Sequence, residues 1–240
     1  MRSPFRSNML PIFPIAAGIL GYLLRIWLFA VTDAKGLLPS KHFAGVALFW
    51  LTALALLGIL LSSIVLEPRK INKQLLRWGD SLACLWGAVG FVLTATLVLA
   101  GSNARLSPIA KITSLAGGLA FLVMALLRLT RKRIHYILPS IVTMALMLYT
   151  ITYAQVCGAM PQLQEYFFPL MACIFLLLTA YYKTALLAKY PQPNLLAFFS
   201  QGAVFFCLVS LKSPQWLLFL GMLPWAILQI YPCTLVKKKV

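Results

Sequence analysis

The stretch Arg128-Leu129-Thr130-Arg131-Lys132-Arg133 decides the fold, because it places four cations between two long apolar runs. A block of this charge is too polar to enter hydrocarbon, whereas about 20 apolar residues cross the roughly 30 Å of a bilayer core. The block therefore separates two membrane spans and is predicted to lie on their cytoplasmic side. It carries no signature of catalysis, so it predicts topology and not chemistry.

Composition extends this interpretation to the whole chain. Of the 240 residues, 62% are hydrophobic and only 10% are charged, whereas roughly a quarter of the residues in a soluble domain are charged. No stretch between the apolar runs is long enough to build a soluble domain. The sequence thus predicts a single all-α domain over 1–240, a polytopic transmembrane helical bundle.

Eight apolar runs are candidates for spans. They lie at about 10–31, 42–66, 79–100, 108–127, 134–156, 166–188, 195–211 and 215–236. Asp80 or Ser81 is the expected N-cap of the third helix. The seventh run is short and a tight turn joins it to the eighth, so six spans plus a re-entrant hairpin are the alternative to eight crossings.

The distribution of cations predicts the orientation of the bundle. With a cytoplasmic N-terminus, fifteen of the 21 Lys and Arg residues fall on cytoplasmic segments and five on the other side, with Arg25 inside the membrane. Cytoplasmic loops of membrane proteins carry such an excess of cations. An even number of crossings is therefore predicted, with both termini in the cytoplasm.

The net charge of +17 does not indicate nucleic-acid binding, because the cations lie at the ends of apolar runs, where they meet lipid headgroups. The predicted partners are the lipid bilayer and the anionic headgroups of its cytoplasmic face, and a protein partner subunit is a further candidate. The candidate docking residues are Arg69, Lys70, Lys73, Arg128, Arg131, Lys132 and Arg133.

Residues for metal and acid–base chemistry are sparse. The acids are Asp33, Glu67, Asp80 and Glu165, all at predicted membrane edges, and the two histidines lie on opposite sides of the membrane. Five cysteines without a CxxC pair indicate small packing residues rather than a zinc site or a disulfide framework. We therefore expect no metal, no cofactor and no enzymatic activity.

Arg25 is the most informative single residue. A guanidinium inside a span is costly, which makes it a functional candidate by default. It lies about two turns from the end of its helix, so two interpretations stay open. In the first, its side chain snorkels toward the headgroups or pairs with another group of the protein for a structural purpose. In the second, it contacts a buried anion or a negative group of a substrate. Lys183 lies nearer its helix end, where snorkelling is favoured.

The other candidate substrate-binding residues are polar side chains in the C-terminal half of the chain. They are Tyr149, Thr152, Tyr153, Gln155, Tyr182 and Gln201. The first three share one helical face by their i, i+3 and i+4 spacing, and polar side chains in lipid seek partners or a wet cavity. Both interhelical hydrogen bonding and a substrate-lining surface fit this pattern.

The loop Asp33-Ala34-Lys35-Gly36-Leu37-Leu38-Pro39-Ser40-Lys41-His42 and the following Trp50-Leu51-Thr52-Ala53 resemble multispanning membrane proteins of clostridial-type bacteria that have no assigned activity. The resemblance implies a bacterial plasma membrane and assigns no residue a role.

With no catalytic constellation in the sequence, we expect a protein that binds or transports a small solute, alone or as the membrane subunit of a larger transporter. The alternative is a non-transporting regulatory protein whose basic linkers dock a partner or anionic lipid.

Overall fold

The computed structural model describes residues 11–31, 43–64, 73–99, 108–130, 134–158, 163–190 and 192–230. Within these ranges the chain is helical and contains no strand. The helices are α1 (Ile12–Ala30), α2 (Phe43–Ile64), α3 (Lys73–Leu99), α4 (Pro108–Leu129), α5 (Ile137–Gly158), α6 (Leu163–Leu187), α7 (Pro193–Val209) and α8 (Trp216–Ile230). A 3-10 turn, Ser210–Lys212, connects α7 to α8.

Seven of these helices are long and apolar enough to cross a membrane, and α8, with 15 residues, is shorter. Their outer faces carry large apolar side chains that a soluble protein would bury. On α2, for example, Phe49, Trp50, Leu54 and Leu57 are each more than half exposed. Such faces are stable only against lipid, so the chain is a multi-pass integral membrane protein, and the predicted all-α bundle is confirmed.

Six of the helices form a closed ring. Each helix from α3 to α8 packs against the next one along the chain, and α8 returns to pack against α3. The hairpin of α1 and α2 lies outside the ring and joins it mainly through α7, the most buried helix. We call the end of the bundle where α1 begins the proximal end, and the opposite end the distal end.

Helix α8 runs antiparallel to the middle part of α3. Gly79 of α3 lies beside Leu228, and Gly90, three turns further along α3, lies beside Gly221. At the second contact a Cβ atom on Gly90 would be only 2.7 Å from the Gly221 Cα atom, so the two backbones touch. The choice between eight crossings and six crossings plus a re-entrant hairpin stays a prediction.

A proline and a tryptophan act together at the same helix pair. Pro224 lies inside α8, and because proline has no N–H, the carbonyl of Leu220 loses its helical donor. The indole Nε1–H of Trp86 on α3 donates to that carbonyl at 3.1 Å. In lipid, where no water replaces a missing donor, this bond stabilises the α3–α8 contact.

The start of α3 differs from the prediction. The helix begins at Lys73, six residues before the predicted 79, so the expectation that Asp80 or Ser81 forms its N-cap is wrong. The run 73–77 continues the helix because its residues favour helix and its cations suit the headgroup region. As a result Asp80 is more than one turn inside the helix, with its side chain buried.

Candidate functional site

A cluster of polar and ionisable side chains lies inside the ring at its proximal end. The Nε atom of Arg128 on α4 is 2.9 Å from Oδ2 of Asp80 on α3. Gln229 of α8 is fully buried, and its amide Nε2 donates to Asp80 Oδ1 at 3.4 Å and to the Trp225 carbonyl at 3.3 Å. Three helices therefore converge on one carboxylate.

The helical faces explain why these side chains meet. Asp80, Cys84 and Ala88 follow one another at i, i+4 spacing on α3, and all three are buried. Ser81, beside this face, donates its hydroxyl to the Ala125 carbonyl of α4 at 3.2 Å. The charged pair is thus on the interior side of two closely packed antiparallel helices.

Lys183 brings a second cation to this end from α6. Its side chain is only 8% exposed, and it follows Leu176, Thr179 and Ala180 on the buried face of that helix. Because α6 ends where α3 begins and α4 ends, Lys183 lies at the same end of the bundle as Asp80 and Arg128. The expectation that Lys183 snorkels is wrong, because Lys183 belongs to the interior face of α6.

Aromatic side chains of α3, α4 and α8 pack together on the distal side of this cluster. Phe91 packs against Phe121 with ring centroids 5.8 Å apart, and Phe121 meets Trp225 edge-on at 5.4 Å. All three are almost completely buried. A polar solute at the cluster would therefore have its approach from the proximal end, where the Arg128 side chain retains 27% exposure.

Arg25 occupies a separate position at the distal end. Its guanidinium is 2% exposed, and Nη1 donates to the Val209 carbonyl, the last of α7, at 2.9 Å. The rings of Phe29 and Phe168 lie 5.4 and 5.6 Å from the guanidinium carbon. A cation at a helix C-terminus and over aromatic rings is well stabilised. Of the two interpretations, the geometry favours structural pairing.

Gln201 lies in the proximal half of α7. It is fully buried, and the Ser62 hydroxyl of α2 donates to its Oε1 at 2.8 Å. Within the described residues its amide Nε2 meets no acceptor. Gln201 and Val209 are eight residues apart on one helix, or about 12 Å, so a small solute could not contact both Gln201 and Arg25.

The predicted face of α5 is buried as a unit. Tyr149, Thr152 and Tyr153 all lie in the interior, and Thr152 uses its hydroxyl within its own helix, on the carbonyls of Leu148 and Tyr149. Gln155 is exposed instead and leaves this face. The interior orientation agrees with the sequence, and the structure does not bring Gln155 to the same surface.

Tyr182 stacks on Phe199 of α7, with centroids 5.3 Å apart and planes nearly parallel.

Among the candidate docking cations, Arg128 is bound to Asp80, and Lys73 is placed only by its backbone, as the first residue of α3. The other candidates, Arg69, Lys70, Arg131, Lys132 and Arg133, lie outside the described residues.

Sequence reasoning missed the proximal cluster as a unit. It assigned Asp80 to a membrane edge because the predicted third helix began too late. It favoured snorkelling for Lys183 because that residue lies near the end of its own helix. One signal was present, since Asp80, Cys84 and Ala88 form an interior face once the helix starts earlier. The contact between Asp80 and Gln229 depends on α8 returning to α3, which no local pattern indicates.

The comparisons with known proteins add no relative, because the chain matches no family model, no curated protein and no solved structure.

Proposed function

We propose that this membrane protein binds a small polar solute at the proximal cluster and serves in its transport, alone or as the membrane subunit of a larger assembly. The observation that carries the proposal is the burial of Asp80, Lys183 and Gln229 at one end of a ring of spans, with the partly exposed Arg128 paired to Asp80. Ionisable groups placed inside a bundle are costly and typically serve a substrate or ion pathway.

The geometry also supports a mechanism with access from one side at a time. The solute would enter from the proximal end and exchange hydrogen bonds with the cluster, while Phe91, Phe121 and Trp225 block its passage. Passage to the distal end then requires these rings to move apart. A packed aromatic layer of this kind suits alternating access better than an open channel.

The same proposal includes the location. The excess of cations on segments that end proximally favours a cytoplasmic proximal end, and the resemblance described above favours a bacterial plasma membrane. The solute would then bind from the cytoplasm.

Thermal unfolding of the purified protein against a panel of metabolites and ions tests the proposal. A solute present at about 100 times its dissociation constant should add roughly 2.7 kcal/mol of apparent stability. The increase should disappear in Asp80→Asn/Arg128→Gln, which removes both charges together, and should persist in Gln155→Leu, a control at an exposed position. Counterflow in proteoliposomes then separates transport from binding.

A panel that leaves the unfolding midpoint of the wild type unchanged, together with the absence of counterflow, would contradict the solute-binding proposal.

A second candidate is the docking of a partner protein or anionic lipid by the basic linkers. Arg131, Lys132 and Arg133 follow directly after α4, whose own Arg128 is already bound to Asp80. Changing these three residues to Gln should abolish partner or lipid retention while leaving solute binding intact. The opposite pattern favours the solute-binding proposal.

A further inference from the structure

We infer that the proximal cluster selects solutes that carry an oxyanion, a carboxylate or a phosphate group, with the Lys183 ammonium as their principal contact. This inference rests on the solute-binding role proposed above and adds the chemical class of the ligand.

Charge balance within the cluster is the first argument. Asp80 is the only acid among its described ionisable residues, and Arg128 and Gln229 already contact its two oxygens. Lys183 is the remaining ionisable residue, and in the described part of the chain its ammonium has no hydrogen bond or ion pair, so the described residues give the cluster one more basic than acidic side chain. The Lys183 residue is only 8% exposed, and a bound anion would give its ammonium the counterion that the described residues do not supply.

The direction of Lys183 is the second argument. Lysines near the end of a span usually extend to the headgroups along the lipid-facing surface. On α6 that surface is marked by Tyr181, which is 53% exposed, whereas Lys183 is more than nine-tenths buried. Its side chain therefore lies on the interior side of the helix, at the same end of the bundle as Asp80 and Arg128.

The supply of donors is the third argument. A lysine ammonium has three N–H donors and a guanidinium has five, and neither can accept a hydrogen bond. The Arg128–Asp80 contact uses Nε of the guanidinium, which leaves its terminal N–H groups available to a second anion. An oxyanion accepts hydrogen bonds from both kinds of donor, whereas a cation would be repelled and a neutral solute would leave the charge uncompensated.

A phosphate or carboxylate can reach this end of the bundle as a soluble metabolite or as the headgroup of an anionic lipid. Both sources share the chemistry that Lys183 would recognise, so the experiment needs one arm for each.

The test uses the full-length protein in nanodiscs of phosphatidylcholine. In the soluble arm, inorganic phosphate and acetate are titrated at constant ionic strength, with choline and glucose as the cationic and neutral controls. In the lipid arm, phosphatidylglycerol replaces part of the phosphatidylcholine. The midpoint of thermal unfolding and the retention of radiolabelled phosphate are measured in both arms.

Lys183→Met should weaken the binding of the anion about 10- to 100-fold, because it removes a hydrogen bond between two charged groups. Lys183→Arg, which keeps the charge, should retain most of the affinity. Lys111→Met is the matched control, because Lys111 begins a span at the distal end, and it should leave binding unchanged. Phosphate retention by the wild type needs no variant, so a poorly folding Lys183→Met would not prevent the test.

A response to anions in either arm that depends on Lys183 supports the inference. If phosphatidylglycerol alone responds, the oxyanion site stands and the soluble-solute proposal fails. If choline, glucose or another solute without an anionic group binds independently of Lys183, the solute proposal stands and the inference is overturned. The absence of any anion response in the wild type, or an equal response in Lys183→Met, also overturns it.

Discussion

At Trp86 a single indole N–H replaces the hydrogen bond that a proline removes from the neighbouring helix. The bond joins α3 to the Leu220 carbonyl, which Pro224 leaves without a helical donor. Although Trp86 is half exposed to the lipid-facing side, its polar atom is essential to the contact. An exposed tryptophan in a membrane protein therefore need not be an interfacial anchor.

Trp86→Phe should lower the free energy of unfolding by about 1–3 kcal/mol, because the Leu220 carbonyl is then left unsatisfied in lipid. In a Pro224→Ala background the same change should cost clearly less, since the alanine N–H restores the helical bond. Unfolding followed by circular dichroism gives both values. Trp50→Phe, at a lipid-facing position that is 61% exposed, should stay within about 0.5 kcal/mol of wild type. Equal losses in both backgrounds would refute this account.

Arg25 shows what a single residue reveals before its fold is known. The cost of a charge in lipid marked it as important, and its burial agrees with that reasoning. Its partner, the carbonyl of Val209, is 184 residues away in the sequence. The choice between structural pairing and substrate contact depends on which helix end lies beside α1, and one sequence does not contain that information.

On the scale of elements, the crossing of α3 and α8 at Gly90 and Gly221 controls the proximal cluster. These glycines let the two backbones touch, and this close approach brings Gln229 within reach of Asp80. Any side chain at the crossing would push the helices apart. The crossing thus couples packing in the middle of the bundle to the geometry of the charged site.

Gly90→Ala should destabilise the protein by about 1–3 kcal/mol, because the new methyl group would overlap the Gly221 backbone. Gly45→Ala is the matched control. Gly45 is also helical, but its nearest neighbour would be 3.9 Å from the added carbon, so the higher helix propensity of alanine should leave stability unchanged or raised. Thermal unfolding of both variants tests the comparison. Similar effects of the two changes would show that the crossing tolerates separation.

Helix boundaries were predicted well where the helix ended at the same residue as the apolar run. They were missed where the helix continued into a charged segment. The runs of α4 and α6 were located within a few residues, because apolar residues make up most of each helix and the charged residues lie near its ends. The start of α3 was missed, since the cations at 73–77 were assigned to a linker although they continue the helix. That one error concealed Asp80 as an interior residue.

On the scale of the whole molecule, the eight helices of the described residues predict, if each crosses the membrane, that both termini lie on the same side. We expect a fluorescent reporter and a periplasmic-type phosphatase reporter to give the same side when fused to either end. The fluorescent reporter should be active at both ends if the proximal end is cytoplasmic. Opposite sides for the two termini would mean that one of the helices, most plausibly the short α8, does not cross.

The number of helices and their apolar faces were predictable from composition and run length, because lipid requires both. The order of the helices around the ring was not predictable. It depends on contacts such as Gln229 with Asp80 and Ser62 with Gln201, separated by 149 and 139 residues. Consequently the sequence named Gln201 as a candidate but could not place it against α2, away from Arg25.

The contact between α3 and α8 can form only after α8 has been synthesised, which delays the closure of the ring. The Leu220 carbonyl is made 134 residues after its partner Trp86, which at 5–20 residues per second is a delay of roughly 7 to 27 s. During that interval the face of α3 that will receive α8 is open to lipid, to insertion factors and to quality-control proteases. A ribosome stalled shortly before α8 would therefore leave a long-lived target for degradation.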